Sequence, residues 1–319
     1  MLPGTVCALV VGGGPAGLSA ATWLGRYRRP TLVVDAGEQR NLAADRAHGL
    51  LGRDPTTPRQ LLADARAGLA QYPHVRLHHG CVTALRRDED GAFRAEVDGR
   101  EVAAERVVLT TGVRDRLPDL DGLAAHYGTD VHHCPACDGP TAQDRAVVVL
   151  GSGAQLPGYA AELLDWAAPV RLVLDPAEPG IDDGQRAALA DHGVEVLEGT
   201  AVALTGEPGD LRGVRLADGR TVPAAKVFFS YAHLPAGDLA RQLGCALDHE
   251  GLITVDGFQL TSVDGVYAAG DVTPGLQLVP IAVGEGAAAG VACATSLRGR
   301  PALGGAPAPG PPTRRFAPG

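Results

Sequence analysis

The chain has 319 residues, a net charge of -9 and a pI near 5.5, with 45% hydrophobic, 20% charged and 4% aromatic residues. That length allows two domains with a core each, and the composition is that of an ordinary globular protein. The acidic balance argues against nucleic acid or anionic lipid as a partner, and the scarcity of aromatics against base-stacking surfaces.

No apolar run approaches the about 20 residues a membrane helix needs. The opening MLPGTVCALVVGGG lacks a basic n-region and reads as a first strand, so a cytoplasmic location is expected. Six cysteines are too few for a disulfide scaffold, which a reducing compartment would disfavour in any case. Cys7, Cys81, Cys245 and Cys293 stand alone and are expected as small buried hydrophobes. Cys134 and Cys137 form a pair.

In chain order, CALVVGGGPAG (Cys7 to Gly17) is an apolar run and a Gly-rich turn, followed by a helical stretch at Ser19 to Gly25. Another apolar run, TLVVD (Thr31 to Asp35), ends in an acid. Strand and turn signals fill Val75 to Thr110 and close on Thr110-Thr111-Gly112. The first pattern then repeats: AVVVLGSG (Ala146 to Gly153), a helical stretch at Tyr159 to Leu164, and VRLVLD (Val170 to Asp175). Two βαβ starts imply an α/β protein with two doubly wound, Rossmann-like, three-layer dinucleotide-binding domains. LITV (Leu252 to Val255) and GVYAAGD (Gly265 to Asp271) return to strand and turn character, and a long helix is predicted between Pro280 and Leu297. The tail 301–319, with six Pro and four Gly, is expected to be disordered.

Gly12-x-Gly14-x-x-Gly17 follows a strand and opens a helix, the setting in which its glycines admit a pyrophosphate to the helix N-terminus. Asp35, about 20 residues on, suits a ribose 2′-OH. The plain alternative is a strand–turn–helix with glycines for packing, and the motif alone does not separate FAD from NAD. In the second copy Gly151 and Gly153 remain, but Leu156 takes the third glycine position and is expected to push helix and strand apart. Beyond it, Asp175 and Glu178 stand where a 2′-phosphate would need cations, with no arginine until Arg186. NADPH is therefore disfavoured. NADH through Asp175, or a decayed nucleotide site, is expected instead.

The stretch VHHCPACDGP (Val131 to Pro140) can be a zinc half-site, a redox disulfide or two unconnected core cysteines. Zinc needs about four ligands and no second pair exists, so no metal is expected. Pro135 and the turn residues Asp138-Gly139 argue against unconnected core cysteines. A redox pair needs an attacking thiolate, a resolving thiol and an electron sink. His133 or Asp138 is the candidate acid/base, with histidine better matched to neutral pH. The plain alternative for His133 is a histidine satisfied by backbone, and His132 reads as a polar loop residue.

Gly12, Gly14 and Gly17, then CPACDG (Cys134 to Gly139), then GVYAAGD occur in the order seen in thioredoxin reductases. The chain resembles that FAD-dependent family over roughly residues 5–297. Arg40-Asn41, HGLLGRD (His48 to Asp54) and His133 are closer to its branch of dithiol oxidases, such as those closing the disulfides of gliotoxin and holomycin, and VPIA (Val279 to Ala282) replaces the Arg-Gln-Ala run that thioredoxin reductases carry near the flavin. Asp138 matches the thioredoxin reductase pattern. The resemblance implies an FAD domain from 1–114 and 246–300, a nucleotide-type domain inserted at 115–245, and a homodimer. It implies FAD contacts from Gly12, Gly14, Pro15, Ala16, Gly17, Asp35, Arg40, Asn41, His48, Val82, Thr111, Gly112, Gly270 and Asp271. It also implies that Cys137 lies against the flavin while Cys134 faces the exchange partner. The expected activity is oxidation of a small dithiol with O2 as acceptor. The alternatives are a thioredoxin reductase drawing on NADH, NADPH or another donor such as ferredoxin and acting on a thioredoxin-like protein, and a flavin-bound redox sensor.

Overall fold

Aliphatic and β-branched runs become the parallel strands of two sheets in the computed structural model, which describes residues 1–231 and 233–298. The tail expected at 301–319 lies outside them. The chain divides into two compact units. One comprises Met1–Arg40, Leu50–Arg114 and the chain from Pro235 onward; the other comprises Asn41–Gly49 and Asp115–Leu234.

In the first unit, β1 (Thr5–Val11), α1 (Pro15–Arg26) and β2 (Thr31–Asp35) are followed by α2 (Pro58–Leu69) and β3 (Val75–His79). A meander of β4 (Val82–Arg87), β5 (Phe93–Val97) and β6 (Arg100–Leu109) comes next, and β7 (Val113–Asp115) leads out of it. The sheet order is β3-β2-β1-β6-β5-β4. β1, β2, β3 and β6 run parallel, and β4 and β5 antiparallel. Val107 to Leu109 of β6 also pair in parallel with a strand from the far end of the chain, described below. Leu9, Val107 and Leu109 of the two central strands are almost wholly buried, the expected pattern for strands covered on both faces.

The second unit holds α3 (Leu123–His126), β8 (Val131–His132), α4 (Pro135–Asp138), β9 (Val147–Gly151), α5 (Leu156–Glu162), β10 (Val170–Leu174), α6 (Asp183–Asp191) and β11 (Glu195–Glu198). An antiparallel trio follows, β12 (Ala201–Glu207), β13 (Asp210–Leu216) and β14 (Thr221–Pro223), and then β15 (Lys226–Ser230). The parallel sheet has the order β11-β10-β9-β15-β8, so the redox stretch hangs from its edge strand.

After β16 (His233–Pro235), the chain returns to the first unit at Pro235 rather than at the expected Ala246. The physical reason lies in α7 (Leu239–Gln242) and its sequel: Leu239 and Cys245 bury in one core with Leu85, Val97 and Leu109. The Gln242 side chain also accepts the Leu85 N–H at 2.8 Å. Residues 41–49 belong with the second unit because Gly128 packs on Ala43 so closely that a Cβ there would lie 1.8 Å from its carbonyl oxygen. Leu252 to Val255, expected as a strand, makes only isolated bridges, Leu247 to Ile253 and Val255 to Thr261. The predicted strand near Tyr267 is β17 (Val266–Ala268), the one that pairs with β6.

The long predicted helix is α8 (Val279–Ser296). It is apolar and long enough to cross a membrane by those two measures, yet it packs lengthwise on α1. A Cβ on Gly286 would lie 2.1 Å from the Ala16 carbonyl oxygen, and one on Gly290 2.6 Å from that of Ala20. The Ser19 hydroxyl completes the seam by donating to the Val283 carbonyl at 2.7 Å.

Candidate functional site

In the first unit the candidate residues gather at the carboxyl ends of the parallel strands, where open α/β sheets bind ligands. Gly12 follows β1 at φ 109°. A side chain there would meet the Thr110 carbonyl oxygen at 2.2 Å, and one on Gly17 the Gly12 oxygen at 1.9 Å. Gly14 caps α1 with no side chain over it and Pro15 opens the helix, so the first-turn amides stay free for an anion. Asp35 is 5% exposed. Its carboxylate accepts from the Gly37 N–H (2.9 Å), Gln39 (2.7 Å) and Arg66 (2.8 Å). Three of about four lone-pair positions are thus filled, leaving one for a ribose hydroxyl. Val82 opens β4, two residues past Gly80, whose N–H donates to the Asp35 carbonyl at 3.0 Å.

Thr111 and Gly112 follow β6, and Gly270-Asp271 follows the adjacent β17. Gly270 faces Ala16, whose Cβ lies 2.9 Å from where its own would be. Its N–H donates to Glu285 Oε2 at 2.7 Å, and the Thr273 hydroxyl bridges the Gly270 carbonyl (2.8 Å) and Glu285 (3.2 Å). Burial pushes the Glu285 carboxyl above its ordinary range. Arg40 donates to Asp271 at 3.1 Å and to Gln277 at 2.6 Å. The Asn41 Nδ2 is buried without a hydrogen-bond partner among the described residues, and His48 is exposed; both belong to the segment counted with the second unit. Arg66, Gln39, Gln277 and Glu285 were not foreseen from sequence. A cradle closed to a Cβ at Gly12 and Gly17, an uncapped 12-residue helix and a carboxylate with one acceptor position left together fit a dinucleotide such as FAD.

In the second unit, Cys134 and Cys137 are joined in a disulfide with an S–S distance of 2.07 Å. The Cys134 sulfur sits at the N-cap of α4 and accepts the Cys137 N–H at 3.1 Å, a position that favours a thiolate. Tyr127 and His133 Nδ1 share a hydrogen bond of 3.0 Å, and both rings lie about 6 Å from Phe229 (5.9 and 6.1 Å). His132 is not a loop residue. It pairs in β8 opposite Phe228, is 4% exposed, and places Nδ1 3.5 Å from Asp138 Oδ1. Among the described residues no cluster of three or more His, Cys, Asp or Glu side chains is arranged to hold a metal ion. Cys7, Cys245 and Cys293 are buried as expected, but Cys81 is exposed because it sits in the turn between β3 and β4.

Within the second unit, the chain entering β8 is tied down by a buried ionic cluster. Asp130 accepts from His126 (2.8 Å), from the Gly209 N–H (2.7 Å) and from Lys226 (3.1 Å). Burial pushes the Asp130 carboxyl up, and these donors more than offset it, leaving it below its ordinary range.

The second glycine turn is covered by its own chain. The Gly153 N–H donates to the Pro179 carbonyl at 3.5 Å. Leu156 does not push helix and strand apart: it is fully buried in one core with Val149 and Leu172, and α5 shrinks to 7 residues. No arginine follows Asp175 before Arg186, but one reaches the site from far upstream. Arg116 forks onto Glu178, holding that carboxyl below its ordinary range, and lies 5.3 Å over the Tyr231 ring. Burial raises the Tyr231 hydroxyl to about 12. Asp175 accepts from the Ala177 N–H (2.9 Å) and Thr200 (3.1 Å). A cavity of about 380 Å³ remains, lined by Arg116, Asp175, Glu178, Thr200 and Tyr231 over Leu120 and Val173.

A family model described as pyridine nucleotide-disulphide oxidoreductase matches residues 7–286. A protein of Claviceps purpurea named thioredoxin reductase tcpT is 31% identical over 314 residues, covering 92% of this chain and 94% of its own. The solved structure of HlmI is 36% identical with a TM-score of 0.84 and 92% of each chain covered. An oxidoreductase from Agrobacterium tumefaciens is 35% identical with a TM-score of 0.83, covering 92% of this chain and 98% of its own. With a dinucleotide cradle in one unit and a cysteine disulfide in the other, the chain belongs to the pyridine nucleotide-disulphide oxidoreductase family, as an FAD-type, thioredoxin reductase-like oxidoreductase acting on sulfur groups.

Proposed function

We propose that the protein oxidises dithiols to disulfides through Cys134 and Cys137 and does not draw on a pyridine nucleotide. The observation that carries this reading is the second glycine turn. Its Gly153 N–H is taken by Pro179, and the arginine beside it is taken by Glu178, while the cysteine pair and the first cradle are intact. A 2′-phosphate would have to displace Glu178 from Arg116 before it found a cation.

In the proposed cycle a substrate thiolate attacks the Cys134 sulfur, and the Cys134–Cys137 bond breaks with its electron pair going to Cys137. The second substrate thiol then attacks the first substrate sulfur. Cys134 departs as a thiolate, held by the Cys137 N–H. His133, hydrogen-bonded to Tyr127, and Asp138 take the two thiol protons in this reading. Gly12 to Gly17, Asp35 and Gly270-Asp271 would hold FAD, which would supply a two-electron sink for the reduced cysteine pair, with O2 as the final acceptor and hydrogen peroxide as the product.

The test is anaerobic mixing of the holoprotein with NADPH, NADH or dithiothreitol in turn. Dithiol is expected to bleach the flavin quickly, pyridine nucleotides slowly or not at all. Air then restores the colour, with a molecule of peroxide for each disulfide. Rapid bleaching by micromolar NADPH would overturn the reading in favour of a thioredoxin reductase, the activity in the name of tcpT.

A further inference from the structure

His132 ends β8 and His133 follows it. His133 meets Tyr127, whereas His132 turns inward, its ring 5.3 Å from that of Phe228. Its Nε2 is buried and has no hydrogen-bond partner among the described residues. An unpaired buried nitrogen is unfavourable and calls for an explanation in function.

The orphaned atom decides the tautomer. A hydrogen on Nε2 would be a buried donor with no acceptor among the described residues. A hydrogen on Nδ1 instead has the Asp138 carboxylate oxygen 3.5 Å from its nitrogen and leaves only an acceptor unpaired. Orphaned N–H groups are the rarer case. A separation of 3.5 Å is long, and is of the kind that tightens when substrate binds. Asp138 is otherwise fixed through its backbone, its N–H donating to the Cys134 carbonyl at 3.0 Å.

We propose that His132 is a positioning residue for the thiol–disulfide exchange. Its Nδ1–H aims the Asp138 carboxylate, next in sequence to Cys137, so that Asp138 receives the proton of the attacking thiol. The substrate S–H bond breaks, a bond forms between that sulfur and Cys134, and the Cys134–Cys137 electron pair passes to Cys137. The proton ends on Asp138, so the step is balanced. The inference rests on the cysteine pair being the exchange site, but not on which acceptor completes the cycle.

The experiment follows opening of the Cys134–Cys137 disulfide in the full-length holoprotein by dithiothreitol, quenched by alkylation and read by mass. His132→Phe removes the donor, His132→Asn keeps an N–H at the Nδ1 position, and His132→Gln carries it farther out. Opening is expected to slow about tenfold or more in the Phe and Gln variants and to stay within about threefold in Asn. In an Asp138→Asn background, His132→Phe is expected to add no further loss, since partners in one interaction are not additive. Equal slowing of all three variants, a wild-type rate in His132→Phe or His132→Gln, or an additive loss with Asp138→Asn would overturn the proposal. If His132→Phe fails to fold, the Asn against Gln contrast decides it. The readout is bond opening rather than flavin colour, so its failure and that of the oxidase reading are separate results.

Discussion

Arg116 and Glu178 face each other across the mouth of the second unit's cavity, the guanidinium forked on the carboxylate and stacked over Tyr231. The pair uses up the cation that a nucleotide phosphate would seek. Glu178→Ala is therefore expected to uncover an affinity for 2′,5′-ADP that the wild type lacks, read by calorimetry, and Arg116→Ala on top of it to abolish that affinity. Binding of 2′,5′-ADP to the wild type would show the pair is no obstacle.

The two sulfurs are expected to part company in serine variants. Both Cys134→Ser and Cys137→Ser should lose dithiol turnover and keep FAD, since the cradle residues Gly12, Gly17 and Asp35 are left untouched. Cys137→Ser leaves a Cys134 sulfur stabilised by the residue-137 N–H, so it should trap a stable mixed disulfide with a small disulfide probe, detectable by mass. Trapping on Cys137 in Cys134→Ser, and not the reverse, would exchange the assigned roles.

The cradle makes a separate prediction. Gly12→Val would force a Cβ to within 2.2 Å of the Thr110 carbonyl, and the protein is expected to purify without FAD. Glu285→Leu is milder: it leaves the Gly270 N–H without its acceptor, a loss of about 1–3 kcal/mol. It should weaken FAD retention without unfolding the chain, measured by flavin fluorescence on dilution. Full flavin content in both variants would show that the cradle had been misassigned.

Much of this was legible because one short stretch supplied every atom concerned. Gly12, Gly14 and Gly17, Asp35, and the Cys134–Cys137 pair each announce their chemistry within a few residues. Arg116 did not, because it meets Glu178 from 62 residues away. Glu285 was equally hidden: it sits on α8, and its task is to hold a backbone amide, which no side-chain motif encodes. Leu156 was read as a wedge because the third glycine was missing, but a leucine in a buried helix start can equally become core, and here it does. His132 shows the reverse error. β8 is two residues long and holds only His132 of the two histidines, so no alternation in the sequence marks that histidine as the buried one.

Asp130 is expected to dominate the acid sensitivity of the second unit. Its carboxyl lies below its ordinary range when folded, so the stability it contributes is present above the unfolded value of 3.8 and is lost as pH falls through the folded one. Asp130→Ala leaves Lys226 buried without its carboxylate, a loss of about 3–5 kcal/mol. Thermal melts across acid pH would check this: the variant should melt lower at neutral pH and show a flatter acid limb. An unchanged limb would place the acid response elsewhere.

The seam between α1 and α8 joins residues near the two extremes of the described chain, with Ser19 bonded to Val283. During synthesis all five strands of the second unit's sheet have emerged before α8 exists, while the cofactor unit waits for Gly286 and Gly290 to seat on Ala16 and Ala20. Closing so long a loop is slow relative to local pairing. A nascent chain thus carries its cysteine pair into the cell well before it can shelter a flavin, and a ribosome halted short of α8 would release a thiol protein with no colour.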